Sequence, residues 1–164
     1  MEKKILETML ELGFNVEQVE KDLFLFQYEG LKFLYMQSML KNEMLTFSIP
    51  CIYQVTPKNI WVVPLLTEKI NRDASFVKAY MYEDYVSLFY EREVLENENL
   101  EEIISRMVVH LYSTKTMADF YIEEFEKKYA EDLEENTDPK EPGTDESVTM
   151  EAGNEGEAEN TGNE

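Results

Sequence analysis

The chain has 164 residues and carries 35 acidic against 15 basic side chains, a formal net charge of −20. A chain so negative releases no counterions from a phosphate backbone, which excludes nucleic acid and an anionic membrane surface as natural partners and leaves neutral or basic proteins. No apolar run approaches the roughly 18 residues that span a bilayer, the opening Met1-Glu2-Lys3-Lys4 leads into no signal-peptide core, and the single cysteine, Cys51, can form no internal disulfide. A cytoplasmic location is the expectation.

Ile5, Leu6, Met9, Leu10 and Leu12 recur at helical spacing, and Gly13 stands where a left-handed stop belongs, so a short amphipathic helix opens the chain. Asp22 to Tyr28 and Leu31 to Gln37 are rich in strand formers and flank Glu29-Gly30, which predicts a hairpin. A third strand follows over Glu43 to Ile49, where Leu45, Phe47 and Ile49 alternate with Met44, Thr46 and Ser48, and Pro50 is expected to end its ladder or to lie at an edge. Asn59 to Val63 fits a strand by propensity, yet Pro64 suits a first helical turn, so a helix is placed from between Lys58 and Val63 to near Arg72. Trp61, Leu65, Leu66 and Ile70 would share its face. Phe76 to Met81 and Tyr85 to Tyr90, joined through Tyr82-Glu83-Asp84, predict a second hairpin.

Asn99 with Glu102 reads as the capping box of a long helix. Its seam runs through Leu100, Ile104, Met107, Leu111, Ala118, Tyr121, Phe125 and Tyr129. Leu100 to Tyr129 would span about 45 Å at about 1.5 Å per residue, more than a small sheet needs, and this predicts a second docking site for its outer half. After Ala130 the composition changes: residues 131–164 hold 13 acids and one lysine, Lys140, and no aromatic residue. So little apolar surface cannot offset backbone ordering, and a disordered acidic tail is expected there behind a folded domain over residues 1–130.

Chemistry-bearing residues are sparse. His110 has Met107 and Thr114 on its helical face, neither of them the second ligand or acid a metal or general-base site requires, and it reads as structural. Cys51 lacks a neighbouring base and reads as a buried thiol. The run Glu91, Glu93, Glu96, Glu98, Glu101 and Glu102 contains no loop pattern that wraps a cation, and the glycines form no phosphate cradle. No cofactor and no enzymatic activity are expected.

The element order of helix, three strands, helix, two strands and helix resembles that of the YbjN-like proteins, bacterial sensory transduction regulators by family label, and of the type III secretion chaperones. The likeness lies in Leu12-Gly13-Phe14 before the first hairpin, in Phe33 to Ile49, and in Ile70-Asn71-Arg72 closing a helix before Phe76 to Tyr90. The resemblance implies an α+β fold, with an antiparallel sheet packed against helices on one face. It also implies a chaperone-like or regulatory protein-binding role, often as a homodimer, and no catalytic residue.

The residues add a hint of their own. In the first hairpin Leu23, Leu25 and Phe33 alternate with Phe24, Phe26, Tyr28 and Leu34, so both faces look apolar, whereas a sheet covered on one side should be polar on the other. The surplus predicts a homodimer or a protein or peptide partner, with Phe26, Met36, Tyr121 and Phe125 as contacts. An alternative from another class is an acidic immunity protein that neutralises a basic partner.

Overall fold

A computed structural model describes residues 2–37 and 44–135. The first helix, α1 (Glu2–Glu11), ends in a Schellman turn: the Gly13 N–H donates to the Leu10 carbonyl at 3.0 Å and the Phe14 N–H to the Met9 carbonyl at 3.0 Å. Gly13 has φ +84°, which a side chain would resist. Four strands follow, β1 (Glu17–Glu20), β2 (Leu23–Tyr28), β3 (Leu31–Gln37) and β4 (Met44–Gln54). Then come α2 (Val62–Asp73), β5 (Lys78–Tyr82), β6 (Tyr85–Glu93) and α3 (Leu100–Glu135). The strands form one antiparallel sheet in the order β1-β2-β3-β4-β6-β5.

Glu29 and Gly30 both have positive φ, 49° and 78°, the pair of values a type I′ turn demands. That two-residue turn sets the register of the hairpin, with Phe26 opposite Phe33 and Leu25 opposite Leu34. The pairing corrects the expected faces. Phe33 belongs with Phe24, Phe26 and Tyr35 on the inner face, and Leu34 with Leu23, Leu25 and Met36 on the outer one, because directly opposed residues share a side.

Two strand features depart from expectation. β1 is additional, and its Glu-Gln-Val-Glu sequence gives no alternating signal because all four residues are exposed and β2 supplies the pairing. β4 runs on through Pro50 to Gln54. It does so by a bulge: the register shifts between Ile49 and Tyr53, and Cys51 takes φ +55°. The Cys51 N–H donates to Ser87 Oγ at 3.1 Å instead of to the ladder, so a central strand accommodates the proline. Cys51 is exposed, not buried as expected.

The helices cover one face. α3 packs on β4 and β6, α2 on β5, and both α1 and α2 contact α3. The core joins Phe26, Phe33, Phe47, Leu88, Ile104, Met107 and Leu111, all at most 1% exposed. In α2 the buried stripe is Val62, Val63, Leu66 and Ile70, while Trp61 and Leu65 are exposed. Residues 62, 66 and 70 fall at helical spacing and share one face with Val63, while Trp61 and Leu65, each one residue earlier than a buried position, turn away from it. At the start of α3, Asn99 Oδ1 accepts the N–H groups of Glu101 (3.1 Å) and Glu102 (3.5 Å). Glu102 does not return the bond of a capping box; its carboxylate takes the Arg106 guanidinium one turn on.

Sheet edges are guarded. At β5, Asn71 of α2 accepts the Ala79 N–H on Oδ1 (2.7 Å) and donates Nδ2–H to the Ala79 carbonyl (2.9 Å), taking the place of a neighbouring strand. At the other edge β1 is short and bears two glutamates. Asn71→Ala would leave a part-buried donor and acceptor unmet and is expected to cost about 1–3 kcal/mol, read as a lower urea midpoint with an unchanged slope.

Candidate functional site

With all three described helices on the inner face, no described helix covers the outer face of the sheet. Its floor is small and hydroxyl-bearing: Thr46 and Ser48 on β4 and Ser87 on β6 are buried. Leu23, Leu34 and Met36 rise on one side and Tyr80, Tyr82 and Phe89 on the other, enclosing a groove of about 620 Å³. Small side chains between two walls of large ones make the depression, because each strand presents alternate residues to this face.

The aromatic wall is rigid and the aliphatic wall adaptable. Tyr80 stacks on Phe89 with ring centroids 4.2 Å apart and planes 6° from parallel. Tyr80 stays 43% exposed and Tyr82 63%, so both offer ring surface to a ligand. Met36 on the opposite wall is an unbranched thioether able to adjust to what it meets. Glu83 and Glu91 stand at the groove, with no lysine or arginine among its described lining residues. Partial burial, reinforced by the Glu91 carboxylate, pushes the Tyr80 phenol above its ordinary value.

The expected contact residues separate into three environments. Phe26 is 1% exposed, with its ring 5.2 Å from Phe33, 5.3 Å from Phe47 and 5.1 Å from Phe14, so it is a core residue and offers no surface to a partner. Met36 lines the groove. Tyr121 and Phe125 meet α2: the Lys69 ammonium sits 4.3 Å from the Tyr121 ring centre and 5.7 Å from that of Phe125, and pairs with Glu124 at 2.6 Å. Beyond them Trp61 packs on Tyr129 at 5.4 Å. The far half of α3 therefore docks on α2, a contact carried by a lysine stem and the exposed Trp61 that apolar periodicity alone does not register.

The Tyr121 hydroxyl donates to Asp73 Oδ2 at 2.6 Å, and this bond, with that from Arg72, holds the Asp73 carboxyl below the usual carboxylate range. Asp73 in turn pushes the Tyr121 phenol above its ordinary value. A depressed carboxyl contributes stability that is complete above its unfolded pKa of about 4 and is lost as pH falls through the lower folded value. A raised phenol contributes stability that is complete below its unfolded pKa of about 10 and is lost as pH rises through the higher folded value. The stability difference between wild type and Tyr121→Phe should therefore be flat near neutrality and shrink at both extremes, followed by Trp61 fluorescence in urea; a difference independent of pH would refute the linkage.

Two other candidates, His110 and Glu98, lie away from the groove. His110 is half-buried 5.1 Å from Phe76 and 6.1 Å from Tyr90, beside a shallow cavity of about 260 Å³. Glu98, one of the expected charge run, accepts the Leu95 N–H at 2.9 Å and pairs with Arg92, and these two contacts lower its pKa. Among the described residues no group of three or more acidic, histidine or cysteine side chains could hold a metal, and no helix is long and apolar enough to cross a membrane. α3 continues to Glu135, past the boundary expected at Ala130; the rest of the anticipated tail, 136–164, lies outside the described residues.

An α+β layer with a six-stranded antiparallel sheet and helices on one face is a YbjN-like fold. The crystal structure of YbjN from E. coli, whose description as a transcription regulator is itself provisional, superposes with a TM-score of 0.57 at 14% identity over 74% of this chain and 93% of that one. An uncharacterised protein from Methanothermobacter thermautotrophicus matches with a TM-score of 0.49 at 14% identity, over 74% and 96% of the two chains. No protein-family model matches the sequence, and no curated protein matches it.

Proposed function

We propose that this chain is a non-enzymatic, chaperone-like or regulatory protein-binding module of the bacterial cytoplasm that receives a protein or peptide partner on the outer face of its sheet. The observation that carries the reading is the open groove, where Leu23, Leu34, Met36, Tyr80 and Phe89 bring apolar side chains together on a face that no described helix covers. A continuous apolar patch of this kind on a folded chain marks an interaction surface. The guarded edges favour recognition through the face over strand addition. Tyr121 and Phe125 act at the rim of α2 and are secondary.

Affinity purification from the native cell, with mass spectrometry, tests this with paired variants. A partner held by wild type and by Phe120→Asp, on the exposed side of α3, but lost with Leu34→Asp, supports the groove; a partner lost with neither variant overturns it. Two rival readings are decided alongside. An acidic inhibitor of a basic protein would lose affinity steeply between low and high salt, whereas contacts to an apolar wall would not. A two-fold homodimer burying the same face would show twice the 19.3 kDa chain mass in light scattering at micromolar concentration.

A further inference from the structure

The groove carries a charge pattern that narrows its occupant. Glu83 and Glu91 line it, and neither forms an ion pair among the described residues, in contrast to Glu98, Glu102 and Glu124. Lys78 shares the outer face opposite Phe89, yet its ammonium turns to the Asn71 and Ala74 carbonyls, 3.4 Å from each. Among the described residues Glu91 accepts one long hydrogen bond, from Thr46 Oγ1 at 3.5 Å. It stands two residues beyond Phe89 on the same side of β6, and Phe89 stacks on the exposed Tyr80 ring. A flat π-surface beside an unpaired carboxylate suits a cation, and the planar guanidinium best of all, since it can stack on the ring while bonding the carboxylate. The Leu34 and Met36 wall suits an apolar neighbour of that cation. A second copy would bring the same unpaired glutamates against these, and the sequence after Glu135 is itself acidic, so charge opposes both as occupants.

We infer, resting on the reading of the groove as a partner site, that its occupant is an apolar segment of another protein bearing an arginine or lysine, the cation lying over Tyr80 beside Glu91. Fluorescence polarisation on the full chain tests this with two labelled peptides of leucine and serine, identical except that one carries arginines and the other the neutral isostere citrulline. In 0.15 M salt the arginine peptide is expected to bind saturably and about tenfold or more tighter than the citrulline peptide. Glu91→Gln and Tyr80→Ala should each remove much of that difference, and both positions are exposed enough to be changed without unfolding, as circular dichroism would verify. Glu123→Gln, on the exposed side of α3, should leave it unchanged. Equal weakening by Glu123→Gln would mean diffuse attraction to an acidic chain and would overturn the inference. Equal affinity for the two peptides, lost with Leu34→Asp, would also overturn it while leaving the partner groove standing. Failure of both peptides to bind would refute the apolar and basic occupant, as would a dimer that Leu34→Asp dissociates, since a second copy would then fill the groove.

Discussion

Replacing Leu111 by alanine is expected to lower the unfolding free energy by about 2–5 kcal/mol, enough to threaten folding in a domain of ordinary stability. Leu111 is 0% exposed in the first half of α3, where Met107, Val108 and Ala118 continue the buried stripe and Tyr112 reaches across to Tyr28 at 5.8 Å. The helix crosses β4 and β6 at this stripe, so a cavity here cannot be filled by an adjustment of the surface. Glu123→Ala on the exposed side of the same helix should change stability by less than about 0.5 kcal/mol. Urea denaturation of both variants checks the pair, and similar losses would mean that the packed face of α3 is wrongly placed.

Phe26→Ala is expected to cost about 3–5 kcal/mol, and Met36→Ala less than about 1.5 kcal/mol. The two residues lie on strands of one hairpin but on opposite faces, Phe26 among Phe14, Phe33 and Phe47, and Met36 on the groove wall. Stability and binding should therefore separate: Phe26→Ala unfolds at lower urea, whereas Met36→Ala keeps its midpoint and weakens the partner complex. A stability loss at Met36 as large as that at Phe26 would mean that both faces of the sheet belong to the core.

The elements that local chemistry controls were legible in the sequence. Gly13 announced the end of α1, Glu29-Gly30 the turn of the first hairpin, and the seam from Leu100 to Tyr129 the packed side of α3. Features that depend on neighbours were not. β1 has no pattern of its own and exists because β2 offers an edge. The passage of β4 through Pro50 relies on Ser87, distant in sequence, taking the Cys51 N–H. The phase of Phe33 and Leu34 depends on a register that a two-residue turn fixes and composition does not. For the groove, Met36 and the doubly apolar hairpin were the visible signals. On the opposite wall Tyr80 and Tyr82 were legible as strand tyrosines able to line a sheet surface; the stacking of Tyr80 on Phe89 was not, because the two meet only after the second hairpin closes, and Glu91 was masked by the glutamates that follow it.

Site-specific photo-cross-linking in the native cell tests the central claim most directly, with benzoylphenylalanine placed at position 34 on the outer face or at position 120 on the exposed side of α3. A discrete adduct to another protein from position 34, absent from position 120, is the predicted result; adducts from position 120 alone would put the partner on the helices and contradict the account.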